Sequence, residues 1–311
     1  MTTTSAPWTI AGNTGARGFV TELDGGPVHW VRWDSHGEVT QDPLLLVHGL
    51  GGSHLNWTLV APALATGREV YALDLRGFGL SPGHPHGDSK VLSNALLVAH
   101  FSEQVIGAPV VLIGNSMGGM ISAMVASRRP DLARRLVLVD PALPLARIGL
   151  DKAVAAQFAL FSVPGAGEAA LRRVRHRVDP EVAARQVIDL CFADAGRVRP
   201  ELITQAVELT RTRLDPGAGM GDVDHSFMLA ARSLLRTLAR RPSYQRMLDG
   251  ITAPVLLVHG DKDRLVDVSA ARAAARRHPH WAYAELPGVG HTPQLEVPED
   301  FVDLVESWLR P

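Results

Sequence analysis

Residues 110–120 read V-V-L-I-G-N-S-M-G-G-M. Four apolar residues run into Gly114-Asn115-Ser116-Met117-Gly118, and an apolar helical pattern follows. This is the G-x-S-x-G pattern of a nucleophile elbow, with a strand before it and a helix after it. A side chain at the tip of so sharp a turn sits in strained backbone, and a Cβ on either flanking glycine would crowd the turn. The turn lifts the Ser116 hydroxyl above the sheet, at the positive N-terminal end of the next helix. The plain alternative is a glycine-rich turn carrying a solvated serine.

A serine hydroxyl is a poor nucleophile near neutral pH. It needs a base within hydrogen-bond reach, and the base needs a group to orient it. The stretch V-L-L-V-H-G-D-K-D at 255–263 is a buried-strand pattern ending in a glycine turn with two acids. Asp263 lies on the loop past the strand's carboxyl end. The stretch P-G-V-G-H at 287–291 places His291 on a glycine-flanked loop at the same edge, which is where open α/β sheets bind ligands. Taken singly, His291 reads as a loop histidine and Asp263 as a turn residue or cap. Asp261, nearer the Gly260 turn, and Asp140, after an earlier strand, compete for the acid's role. Three residues, each just past an expected strand end and in one known triad order, favour Ser116 as nucleophile, Asp263 as acid and His291 as base.

Acyl transfer builds negative charge on a carbonyl oxygen, and two backbone N–H groups must face it; removing one such donor costs about 2.7–4 kcal/mol. The expected donors are the amides of Met117, next to the serine, and Leu50, in the loop H-G-L-G-G at 48–52. An ordinary β-turn is the alternative reading of that loop.

Short apolar runs alternating with helical patterns position these groups, which points to a mainly parallel α/β sheet. Gly18–Leu23 and Val28–Trp33 are expected to form an opening antiparallel hairpin. Leu44–His48, Glu69–Asp74, Val110–Asn115, Leu136–Asp140, Val255–His259 and Trp281–Leu286 are expected as later strands. Helices are expected over Ser89–Ile106, capped by Asp88 or Ser89 with Leu92, Ala95, Leu96 and Ala99 on one face, over Met117–Arg129, and over Phe301–Leu309. Between Pro144 and Gly250 the texture is helical, broken at Pro164-Gly165, Asp179-Pro180, Arg199-Pro200 and Asp215–Gly221. A crossover needs only a dozen or so residues, so the excess reads as an inserted cap. The expected division is a core of 1–143 and 251–311 and a cap of 144–250.

The 311 residues are 46% hydrophobic with a net charge of −1. A sizeable core can be buried, and no charge excess favours nucleic acid or an anionic membrane as partner. Only Lys90, Lys152 and Lys262 are lysines among 31 basic residues, a compositional bias toward arginine. The single Cys191 excludes an internal disulfide and fits a reducing compartment. No metal-ligand spacing, secretory leader or membrane span is read. The first dozen residues are expected to be loosely packed. A cytoplasmic location is expected.

The chain resembles the α/β-hydrolase superfamily. The matching stretches are H-G-L-G-G (48–52), D-L-R-G-F-G-L-S (74–81), G-N-S-M-G-G (114–119), G-D-K-D (260–263) and G-H-T-P-Q-L-E-V-P-E (290–299). The resemblance implies an α/β-hydrolase fold: a mostly parallel sheet of about eight strands with an inserted helical cap. It implies the same five site residues, Ser116, Asp263, His291, Leu50 and Met117. It gives Asp74, Arg76, Gly77, Gly79 and Ser81 a structural role. Haloalkane dehalogenases and epoxide hydrolases of this superfamily carry an aspartate at the elbow, so a serine implies an acyl-enzyme.

The resemblance is nearest to capped serine esterases and to C–C hydrolases of aromatic ring-cleavage products. The second group commonly has tryptophan after the histidine, where this chain has Thr292. Its cap arginine falls near Ala206, with only Arg197, Arg199 and Arg211 as neighbours. The expected function is therefore hydrolysis of carboxylic esters with small to medium apolar acyl groups. C–C hydrolysis and non-catalytic ligand binding are the alternatives. No cofactor or metal is expected, and the partner is a small-molecule substrate; monomer and dimer both stay open. Val154–Val163 is apolar enough to roof an acyl pocket, although packing on the core is the plainer reading. His225 reads as a surface or capping residue and Trp57 as core.

Overall fold

Alternate residues of a strand point to opposite faces of its sheet, so a strand apolar at every position must be covered on both sides. The computed structural model describes residues 3–5, 15–83, 88–144, 156, 160, 161, 163 and 165–310. Among them nine strands form one sheet: β1 (Thr3–Ser5), β2 (Ala16–Leu23), β3 (Gly26–Trp33), β4 (Leu44–Val47), β5 (Val70–Leu73), β6 (Val110–Asn115), β7 (Ala133–Val139), β8 (Val255–Gly260) and β9 (Ala282–Leu286). Their spatial order is β1-β2-β3-β5-β4-β6-β7-β8-β9. The pairings from β5 to β9 are parallel, and those from β1 to β5 antiparallel.

The fully buried strands split as the alternation demands. Leu45, Val47, Val110, Leu112, Leu136 and Leu138 enter one core cluster; Leu44, Leu46, Val111, Ile113, Val137 and Val139 enter the other. Helix α1 (Ala61–Leu64) lies against the second face with Ala61 and Leu64, and helices α2 (Val91–Phe101) and α3 (Met117–Arg128) cover the first with Leu97, Val98, Met120 and Ile121. The C-terminal helix Pro298–Leu309 covers the second with Phe301 and Val305.

The eight expected strands all form, with ends shifted by up to three residues. The ninth, β1, pairs with β2 at Thr3–Ser5, within the segment expected to be loose; the rest of that segment, 6–14, lies outside the described residues. The hairpin turns through Asp24 and Gly25, both at positive φ (51° and 79°), which suits the twist of two antiparallel strands.

Helix α2 departs from expectation. It opens at Val91 with Lys90 as an N-cap that makes no side-chain hydrogen bond, and it closes through a π turn at Ser102–Ile106. Val91, Ala95, Leu97, Val98 and Ala99 are buried, while Leu92 and Leu96 are exposed. The neighbouring helix α3 selects the buried stripe, and a 3.6-residue pattern alone does not say which apolar stripe that is.

Between β7 and β8 lie α4 (Ala166–Arg177), α5 (Pro180–Cys191), α6 (Pro200–Leu214), α7 (Val223–Ala239) and α8 (Arg241–Asp249). The sequence breaks at Asp179-Pro180 and Arg199-Pro200 are helix starts, with proline in the first turn where a backbone N–H has no helical partner anyway. Most of Val154–Val163 lies outside the described residues. No described helix is long and apolar enough to cross a membrane.

Candidate active site

Parallel pairing sets the strand ends level. Val47 of β4 stands beside Gly114, Asn115 beside Val139, and Val139 beside Val258. The loops after β4, β6, β7, β8 and β9 therefore leave at one edge, carrying His48–Gly52, Ser116, Asp140, Asp261–Asp263 and Pro287–His291.

At the elbow, Ser116 has φ 56° and ψ −119°, left-handed backbone that a side chain rarely adopts. Its N–H donates to Val139 O at 2.9 Å, which holds the turn against β7. A Cβ on Gly118 would run into the carbonyl oxygens of Val47 and His48, and one on Gly114 into that of Gly118. From 110 to 126 Ser116 alone is not buried. The strain thus presents one accessible hydroxyl above an otherwise closed core. Met117 opens α3, so its amide has no intrahelical acceptor.

His48 shapes the neighbouring loop. Its Nδ1 donates to Gly49 O (2.7 Å) and its Nε2 accepts the Leu75 N–H (3.0 Å). Burial pulls its pKa down to about 4, against the opposing charge of Asp74, so the ring is neutral and its tautomer fixed. Because a trans peptide directs C=O and N–H oppositely, anchoring Gly49 O on His48 turns the Leu50 amide away from His48. A Cβ on Gly49 would lie 3.0 Å from Ser116 Cβ, so this loop and the elbow touch.

Asp263 Oδ2 accepts from His291 Nδ1 at 2.7 Å, and Asp263 Oδ1 accepts the amides of Leu265 (2.7 Å) and Val266 (3.0 Å). Burial raises the Asp263 pKa, but the charge and hydrogen bond of His291, with the charge of His259, outweigh it and leave the acid below its usual range. An ionised carboxylate only accepts, so Nδ1 of His291 carries a proton, and in the neutral form of the ring the lone pair stands on Nε2.

Asp140 fills a different position. Its Oδ1 accepts the Gly260 amide at 2.9 Å, and burial, then the charge of Asp263, push its pKa well above the usual range. Asp140 thus resists ionising, while Asp263 beside it is drawn toward its ionised form. Asp261 is spent on the turn, its Oδ1 accepting the Gly288 amide at 2.6 Å.

The structure brings Asp263 and His291 into contact. It ties their loop to the elbow through Asn115, whose Nδ2 donates to His291 O at 3.0 Å. Among the described residues no hydrogen bond joins the Ser116 hydroxyl to the His291 ring directly. The sequence reading gave Asn115 and His48 no role; membership of the matching motifs was their only signal. Asp74 is structural as expected, accepting from His29 Nδ1 (2.8 Å), His54 N (2.6 Å) and Leu80 N (2.8 Å), with Ser81 Oγ on its carbonyl (2.7 Å). Trp57 is fully buried, and His225 is exposed with its amide on Asp222 Oδ1 (2.9 Å). Two residue groups bring ligand atoms within 4.8 Å of one another, Asp140-Asp263-His291 and His29-His54-Asp74. In both, the carboxylate and imidazole already hydrogen-bond each other, so an ion would have to displace those bonds.

The sequence profile of the α/β-hydrolase fold matches residues 42–298. The chain belongs to the α/β-hydrolase family. Among its relatives is the mouse protein named sn-1-specific diacylglycerol lipase ABHD11, 28% identical over 279 residues, covering 88% of this chain and 82% of the relative. Another is the Pseudomonas putida dihydrolipoyllysine-residue acetyltransferase component of an acetoin cleaving system, 30% identical over 281 residues; the match spans 90% of this chain but 66% of that protein. The crystal structure of a putative lipase from Acinetobacter baumannii superposes with a TM-score of 0.75 at 21% identity, over 95% of this chain and 91% of that one. That likeness places this α/β-hydrolase in the same fold.

Proposed function

We propose that this α/β-hydrolase is a serine hydrolase of carboxylic esters, carboxylesterase-like, acting on small to medium apolar acyl groups through an acyl-enzyme. The observation that carries the reading is the 2.7 Å bond from His291 Nδ1 to Asp263, on a loop that Asn115 ties to the elbow of Ser116. His291 Nε2 takes the Ser116 proton as Oγ attacks the ester carbonyl. The amides of Leu50 and Met117 hold the oxyanion. The alkoxide leaves with the proton from His291, and water, deprotonated by the same nitrogen, releases the acid and restores Ser116. The acid-to-base relay needs no metal.

Residues 1–143 and 251–311 act as the catalytic core in this reading, and 144–250 as its cap. An apolar cluster supports the acyl preference: Leu50 packs with Phe161, Phe227 and Met228, so the cap lays two phenylalanines over the oxyanion loop. The name of the mouse relative, a diacylglycerol lipase, agrees with ester cleavage. The single cysteine suits the cytoplasm. Labelling by a fluorophosphonate, lost in Ser116→Ala, and turnover of a graded series of p-nitrophenyl esters are the expected results. An unlabelled wild-type protein would favour a ligand-binding role and overturn the reading.

A further inference from the structure

Outside the triad, one buried carboxylate has every lone-pair direction spoken for by a donor. The Glu296 side chain is inaccessible to solvent. Its Oε2 accepts the amides of Gly290 (2.7 Å) and Ala193 (3.1 Å); its Oε1 accepts the amide of Asp194 (3.0 Å) and Arg197 Nη1 (3.4 Å). Two of these donors, the amides of Ala193 and Asp194, lie in the connection between α5 and α6. A third precedes His291 directly. Around them the same two segments meet twice more: His291 N donates to Cys191 O (2.6 Å), and Arg197 Nη1 donates to Gly288 O (3.1 Å). Gly290 lies so close that a Cβ there would strike Cys191 O.

We propose that Glu296 is a positioning residue that fastens the 191–197 segment to the histidine loop 288–291, so that the presentation of His291 depends on that segment staying seated. The inference rests on His291 being the base of the proposed reaction. Backbone amides and a guanidinium can only donate, so this junction needs an acceptor on both oxygens. A carboxylate is the side chain that supplies four acceptor sites in this shape. An amide of the same shape cannot: either orientation of glutamine turns an NH2 group onto two of the four donors and leaves them buried without acceptors. The loop must then shift, and a displacement of about 1 Å in a catalytic group can cost on the order of 100-fold in rate.

The test compares Glu296→Gln with Arg197→Ala, read by steady-state kinetics on a p-nitrophenyl ester, fluorophosphonate labelling rate and hydrogen exchange. Glu296→Gln is expected to lower kcat by roughly 10- to 100-fold with KM within about twofold. Its labelling rate should fall in step. Exchange should rise together in peptides containing 191–197 and 287–291. Arg197→Ala sits at a partly exposed position and spares three of the four contacts. It should fold regardless and lower kcat by less, again with KM held. A purely structural role predicts lower thermal stability with kcat retained below the transition, and that result overturns the proposal. Wild-type kcat in Arg197→Ala, should Glu296→Gln fail to fold, overturns it as well. Labelling of the wild-type chain and its loss in Ser116→Ala are read separately, so failure here leaves the esterase reading standing.

Discussion

At the scale of single residues, the two acids beside His291 divide their work through their protons. Asp263 is bonded to the ring and drawn toward its ionised form, while Asp140 is pushed toward its protonated form and spends Oδ1 on the Gly260 amide. Asp263→Asn should lower kcat by about 10^4-fold, because the amide favours the wrong imidazole tautomer, with the fold retained by circular dichroism. Asp140→Asn keeps an acceptor facing Gly260 and leaves the bond from His291 to Asp263 in place, so activity should stay within about tenfold of wild type. A crippled Asp140→Asn beside a nearly silent Asp263→Asn would reverse the assignment. Ser116 invites a stability test too. Its left-handed backbone stores about 1–3 kcal/mol of strain, so Ser116→Gly should unfold at higher denaturant concentration than wild type while losing all turnover. Equal or lower stability of Ser116→Gly would mean the turn is unstrained.

At the scale of elements, the elbow works because β4, β6 and α3 approach closer than side chains allow. Gly118 faces the carbonyl oxygens of Val47 and His48 across the junction, at the end of a strand buried on both faces and the first residue after it. They cannot move aside cheaply. Gly118→Ala should destabilise the protein by about 2–3 kcal/mol or more, the range of core overpacking, and lower activity even in the folded fraction. Chemical denaturation followed by circular dichroism measures the first effect. The elements also show where sequence reading stops. The strands were legible because strands covered on both sides must be apolar throughout. The buried stripe of α2 was not, since Leu92 and Leu96 carry the same pattern as their buried neighbours and only the position of α3 decides between them.

At the scale of the whole molecule, buried ionisable groups set the response to acid. His48 is neutral in the folded chain with a pKa of about 4 against an ordinary 6.5. As pH falls below about 6.5 the unfolded chain binds a proton there that the folded chain refuses, so stability drops until about pH 4. The difference amounts to at most about 3 kcal/mol. Asp74, held well below its usual range by His54 and His29 despite its burial, adds a loss in the same direction at lower pH. His48 thus contributes a fall in the denaturation midpoint between pH 7 and pH 4.5, while Asp140, whose pKa burial raises, contributes in the opposite direction. His48→Gln should flatten part of that fall, although its starting stability drops. The same pH dependence of the midpoint in wild type and His48→Gln would contradict a neutral buried His48.

The family, the parallel sheet and the candidacy of Ser116, Asp263 and His291, with Asp140 and Asp261 as rival acids, were legible in the sequence alone. Each signal is local: an apolar run, a glycine turn and one reactive side chain within a few residues. Tertiary structure decided what no local window holds. It gave Asp263, Asp140 and Asp261 different donors, the imidazole of His291, the Gly260 amide and the Gly288 amide. It also joined Glu296 to amides about a hundred residues earlier. Those partners are fixed by how level the strand ends stand and where the helices between β7 and β8 come to rest, and such distances exist only once the chain has packed.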